Sequence, residues 1–144
     1  MIVIASDHAA LEQKEAVIKF LKSKKFIVED LGPFDTIPCD YPDYALKVAN
    51  AVSNKKAQLG ILICGTGIGM SIAANKIKDI RCALCGDTFS AEQTRLHNDS
   101  NVLALGARVV GIGLMLDIVN AFVSTEFSNE ERHINRIRKM MTIK

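Results

Sequence analysis

The chain predicts a three-layer α/β/α fold: a five-stranded parallel sheet, Rossmann-like, with helices on both faces and an extra C-terminal helix. Three observations carry this. Strand and helix signals alternate along all 144 residues. The strand candidates are short, nearly continuous apolar runs, as strands covered on both faces require. The third run, Gly60-Ile-Leu-Ile-Cys64, breaks at once into Gly65-Thr-Gly-Ile-Gly69 and a helix, the junction of a βαβ unit.

The elements follow in order. Ile2–Ala5 reads as the first strand. Ala9–Lys25 is helical, with Ala10, Val17 and Leu21 on one face and lysines elsewhere. Phe26–Asp30 is the second strand. Gly32–Pro42 holds all three prolines and reads as an irregular loop. Asp43–Ser53 is helical, with Tyr44, Ala45, Val48 and Val52 in register. Leu59–Ile63 is the third strand and Gly67–Lys76 the third helix. Arg81–Leu84 is a short fourth strand. Ser90-Ala-Glu-Gln93 has the form of a capping box and opens a helix. Asn101–Leu105 is the fifth strand. Gly111–Val123 is a helix with Ile112, Met115, Leu116, Val119 and Phe122 on one stripe, apolar enough to pack on a partner. Ser128-Asn-Glu-Glu131 is a second capping box, opening a terminal helix to about Lys139.

Residues 1–144 read as one domain, without repeats or linkers. With 49% hydrophobic residues, a core of useful size can form. The formal net charge of +2 and the absence of tryptophan argue against nucleic acid as the partner. The apolar start is too short for a signal peptide, and Asp7 and His8 follow it directly. Val109–Val123 is interrupted by Asp117 and Asn120 and is too short to span a membrane. A soluble, cytoplasmic protein is expected, with no membrane partner. Of the four cysteines, Cys82 and Cys85 have CxxC spacing. They fall in a strand, where residues three apart face opposite sides, and no second pair completes a metal cage. No metal site and no cofactor are expected.

Ligands of such folds bind beyond the carboxyl ends of the strands. That rule selects Ser6-Asp7-His8, Cys64–Gly69, Gly86-Asp87, and the loops around His97 and Arg108. Cys64 stands where thiols act as bases or nucleophiles, between a strand and a helix N-terminus; a small buried hydrophobe is the competing reading. The Gly-Thr-Gly-Ile-Gly turn matches neither a dinucleotide fingerprint nor a nucleoside-triphosphate loop. An oxyanion cradle for a small substrate fits it better. Asp7-His8 is either a helix cap or part of a site. His97 is a candidate acid or base. Arg132 and Arg136 share a helical face: either a solvated basic surface or a guanidinium clamp for phosphate, to which Arg108 could add. Ile134, Ile137 and Met141 lie on another side of that helix and are expected to pack.

Several of these segments together resemble ribose-5-phosphate isomerase of the B type, in the sugar-phosphate isomerase family that includes the galactose-6-phosphate isomerase subunits. The matching residues are Ser6-Asp7-His8, Asp40-Tyr41-Pro42, Gly60 to Gly69, Ser71-Ile-Ala-Ala-Asn-Lys76, His97-Asn98-Asp99, Asn101 to Arg108, and Arg132-His133 with Arg136. They span nearly the whole chain.

The resemblance implies interconversion of an aldose phosphate and a ketose phosphate without metal or cofactor. It makes Cys64 the base. Another branch of the family uses a glutamate at or near Met70, and this chain has no acid there. It gives His97 ring opening, with Asp7 and Thr66 assisting. Gly65, Thr66, Gly67, Ile68 and Gly69 would hold the enediolate oxygens. His8, Arg108, Arg132 and Arg136 would bind the phosphate, and Tyr41 and Asn98 would line the sugar. It further implies a homodimer or homotetramer with sites shared between chains. Allose or galactose 6-phosphate are alternative substrates, and a non-catalytic phosphate-binding domain is the alternative to an enzyme.

Overall fold

The computed structural model describes residues 1–144. Its five parallel strands are β1 (Ile2–Ser6), β2 (Val28–Asp30), β3 (Leu59–Cys64), β4 (Cys82–Leu84) and β5 (Val102–Gly106), in the order β2-β1-β3-β5-β4. The helices are α1 (Leu11–Ser23), α2 (Tyr41–Ser53), α3 (Ile68–Ala74), α4 (Thr88–Asn98), α5 (Ile112–Val123) and α6 (Glu131–Met141). The chain runs outward from β1 to β2, then returns to place β3 on the other side of β1. The strand order reverses there, so the connections leaving β1 and β3 part and open a crevice.

Alternate residues of the central strands feed two cores. Ile2 and Ile4, Ile61 and Ile63, and Leu103 and Leu105 pack with Val17 and Leu21 of α1 and with Met115, Ile118, Val119 and Phe122 of α5. Val3, Ala5, Leu62, Cys64, Val102 and Ala104 face Ala45, Val48, Ala49 and Val52 of α2 and Met70 and Ala74 of α3. β1 and β5 are buried along their whole length, and β3 from Gly60 onward. The edge strands β2 and β4 are three residues long and half-covered. Cys85 belongs to the first core and Cys82 packs on the second, so the two thiols do face opposite sides of the sheet.

Several boundaries differ from expectation, each for a physical reason. Tyr41 and Pro42 belong to α2 rather than to the preceding loop, because proline is tolerated in a first helical turn. The Ser90–Gln93 box does not start α4. Asp87 caps it, its carboxylate accepting from the Ser90 N–H (2.6 Å) and Oγ (2.9 Å), and these bonds hold the acid below its usual range. The Ser128 box is not formed either: its hydroxyl accepts from the Glu130 N–H, and α6 begins one residue later without a side-chain cap. Lys14 is not on the solvent face of α1. It is buried and donates to Asp30 (2.9 Å) and to the Pro33 carbonyl. Of the apolar stripe of α5, Met115, Val119 and Phe122 are buried in the core, Leu116 packs against it, and Ile112 is half-buried. On α6 only His133 is buried; Ile134 and Met140 are exposed, Ile137 and Met141 half-buried. No helix is long and apolar enough to cross a membrane.

Candidate active site

Cys64 is the last residue of β3, and its thiol is buried beneath the glycine turn. Gly67 donates its N–H to the sulfur at 3.1 Å. The turn needs glycine at position 67. Its φ is +79°, and a Cβ there would lie 2.9 Å from the Leu105 backbone. The Cys64 and Gly65 carbonyls accept from Ala107 (2.8 Å) and Arg108 (2.9 Å), which ties the turn to the end of β5. The Thr66 hydroxyl accepts from the Ile68 N–H at 3.2 Å. The N–H groups of Gly65, Thr66 and Gly69 take no part in the hydrogen bonds of the fold, so they are open to an outside acceptor.

Two further predicted residues converge on this turn. A Cβ placed on Gly69 would lie 2.4 Å from the Tyr41 hydroxyl oxygen, so the ring stands directly over Gly69. A Cβ on Gly65 would lie 3.6 Å from Cδ and 3.9 Å from Cζ of Arg108, so the guanidinium lies over Gly65. Asp7 and His8 leave the neighbouring strand. The Asp7 N–H donates to the Ile63 carbonyl (2.9 Å) and its carboxylate accepts from the Ala9 N–H (3.0 Å). His8 accepts through Nδ1 from the Cys39 N–H at 3.1 Å, which brings the proline loop beside it. Cys64, the glycine turn, Tyr41, Arg108, Asp7 and His8 therefore gather at the carboxyl edge of the central strands.

His97, Asn98, Arg132 and Arg136 do not join them. Because α4 runs antiparallel to the strands, its last residues return to the amino edge. Arg81, just before β4, donates to the Asn98 and Asp99 carbonyls (2.9 Å each). The expectation that His97 sits at the carboxyl edge is thereby corrected. A strand of five or six residues is roughly 17–20 Å long, so within one chain these groups stand about a sheet's length from Cys64. Two cavities divide in the same way. One of ≈ 290 Å³ adjoins the turn and includes Thr66, Ile68, Leu84 and Val109. The larger, ≈ 870 Å³, lies at the amino edge against Arg81, Asn98 and the end of α6, far from the thiol.

His133 is the residue that spacing arguments miss. Its ring stacks on His97 with centroids 4.4 Å apart and planes 14° from parallel. It is 4% exposed, and its Nε2 has no hydrogen-bond partner, the Glu130 carboxylate standing 3.8 Å away. Burial first, then His97 and Arg132 nearby, hold this imidazole below the usual histidine range. Two hydrogen-bonding rings from different helices meeting face to face leave no mark on the sequence. Burial pushes Cys82 up to about 12 and Cys85 up to about 11, with Cys85 and Asp87 respectively adding to the rise.

Known proteins resemble the chain over nearly its full length. The family model described as ribose/galactose isomerase matches residues 2–140. Ribose-5-phosphate isomerase B of Escherichia coli (strain K12) is 41% identical over 142 residues, covering 99% of this chain and 95% of that protein. D-erythrulose-4-phosphate isomerase of Pectobacterium atrosepticum is 44% identical over 128 residues, covering 88% and 84%. A solved structure of Clostridium thermocellum ribose-5-phosphate isomerase B superposes with a TM-score of 0.95 at 46% identity, covering 98% of this chain and 95% of that one. Fold and relatives together make the chain an isomerase that works on sugar phosphates. More particularly, it belongs to the ribose/galactose isomerase family.

Proposed function

We propose that this enzyme interconverts ribose 5-phosphate and ribulose 5-phosphate, as in the non-oxidative pentose phosphate pathway, by proton transfer through a cis-enediolate. The observation that carries the chemistry is a buried thiol beneath a turn whose Gly65, Thr66 and Gly69 N–H groups are open. The sugar ring opens first, with His97 moving the proton between ring oxygen and hydroxyl, assisted by Asp7 and Thr66. The Cys64 thiolate takes the proton from C2 of the aldose and becomes the thiol. The C2 electron pair forms the C1–C2 double bond, and charge moves to O1. A proton passes from O2 to O1, and the thiol returns its proton to C1 as the O2 carbonyl forms. A C–H acid is weak, so the turn's amides must stabilise the enediolate; one such donor is worth ~2.7–4 kcal/mol. His8, Arg108, Arg132 and Arg136 hold the phosphate, and Tyr41 and Asn98 line the sugar.

Because His97, Asn98, Arg132 and Arg136 stand at the opposite edge from Cys64, this reading requires a second chain. We therefore assign the enzyme a homodimeric unit, alone or within a tetramer, in which each site takes its thiol, turn, His8 and Arg108 from one chain and His97, Asn98, Arg132 and Arg136 from the other. Exposed apolar side chains on both edges suit such an association: Ile68, Ile72, Leu84, Phe89 and Val109 on one, Ile134 and Met140 on the other. The relative described as D-erythrulose-4-phosphate isomerase favours a second reading, a shorter sugar phosphate as substrate. A coupled assay of one preparation against ribose, allose, galactose and erythrulose phosphates separates these. Turnover highest with ribose 5-phosphate is expected. No turnover with any of them would leave only phosphate binding.

A further inference from the structure

The proline loop lies beside His8. It is fixed at both ends. At its start, Asp30 accepts from the buried Lys14 ammonium (2.9 Å) and from the Gly32 N–H (2.8 Å), and Lys14 also holds the Pro33 carbonyl. At its end, the Cys39 N–H donates to His8 Nδ1 at 3.1 Å, and the Cys39 sulfur lies 3.6 Å from the same nitrogen. A backbone N–H can only donate. The Nδ1 that accepts from it carries no proton, so the neutral ring carries its proton on Nε2. Nδ1 is the one His8 nitrogen that bonds within the chain.

We infer that Cys39 is a positioning residue: its backbone N–H holds His8 in the Nε2–H tautomer, and so presents a neutral, directed donor to the phosphate of the substrate. The inference rests on the reading that His8 faces that phosphate. The consequence is specific. An imidazole recognising phosphate would ordinarily gain from being charged, but a charged His8 would place two donors against each other at Nδ1 and break the bond to Cys39. In this enzyme the cationic share of phosphate binding then falls to the arginines, and His8 contributes direction. The Cys39 side chain is dispensable to this role, since the main chain supplies the bond.

Four measurements on the whole chain test the inference. Long-range proton–nitrogen spectra of the wild type should show His8 protonated on Nε2 alone. Cys39→Ala keeps the N–H and should leave that spectrum and the affinity for inorganic phosphate unchanged. Cys39→Pro removes the N–H; it should give His8 a mixed-tautomer spectrum and weaken phosphate by about three- to tenfold, the range for one neutral hydrogen bond. His8→Gln, whose amide reaches the Nε2 position, should bind phosphate better than His8→Asn, whose amide stops at Nδ1; this pair decides the matter if Cys39→Pro does not fold. A wild-type His8 protonated on Nδ1, or a folded Cys39→Pro variant with unchanged spectrum and affinity, overturns the inference. If both His8 variants bind phosphate like the wild type, the phosphate role of His8 falls, and the spectrum alone then decides whether Cys39 sets the tautomer.

Discussion

Cys64 differs from its fellow cysteines in what surrounds the sulfur. It ends a central strand beneath the glycine turn and receives the Gly67 N–H at 3.1 Å. Cys64→Ser should keep the fold, by circular dichroism, and lose at least about a hundredfold in turnover, the lower range for removing a positioned base. Near wild-type turnover in a folded variant would take the base role away from Cys64. His133 makes a different kind of prediction. Its folded pKa is lowered, so as pH falls below the ordinary 6.5 the unfolded chain takes up a proton that the folded ring resists. This stabilising contribution is full above that value and is lost on acidification. His133→Phe keeps a ring against His97 but removes the titration. Urea midpoints at pH 7.5 and 5.5 should lie closer together in the variant than in the wild type. An unchanged gap would assign the acid sensitivity to other groups.

At the scale of elements, the glycine turn joins β3 to α3 with almost no slack. Gly67→Ala forces a side chain into the left-handed region, at about 1–2 kcal/mol, and drives its Cβ to 2.9 Å from the Leu105 backbone. It should lower the thermal midpoint and also reduce turnover, since Gly67 supplies the N–H bonded to Cys64. A variant that is destabilised yet fully active would separate the turn's structural duty from its chemical one. The strands, the turn and Cys64 at its base were legible in the sequence, because continuous apolar runs and glycine are direct consequences of a two-sided sheet and a positive φ. Helix starts were less so. Ser90–Gln93 has the spacing of a capping box, but Asp87 offers a stronger acceptor three residues earlier and wins. Lys14 was hidden for a similar reason: periodicity ranks lysine as solvent-facing, while its buried amine is satisfied by Asp30 and Pro33 across the fold.

The scale of the whole molecule is where sequence reading stops, because strand order and helix direction decide which motifs meet. Nothing local to His97 says that α4 delivers it to the amino edge, beside the residues that precede β4 and β5. That placement makes the proposed reaction depend on assembly, and mixing two inactive variants tests it. Cys64→Ser and His97→Asn chains each spoil both sites of their own dimer. In a hybrid dimer with shared sites, one site would carry both lesions and the other neither. Random pairing of equal amounts should give about half hybrids, and so about a quarter of wild-type activity, by the symmetry of an isologous dimer. Arg136→Ala should behave like His97→Asn in the same mixture, since both lie on the contributing edge. If mass spectrometry shows hybrids and no activity returns with either pairing, the thiol and the histidine do not act across an interface. His97 would then lose its place in the mechanism, because α4 holds it a sheet's length from the only thiol at the turn.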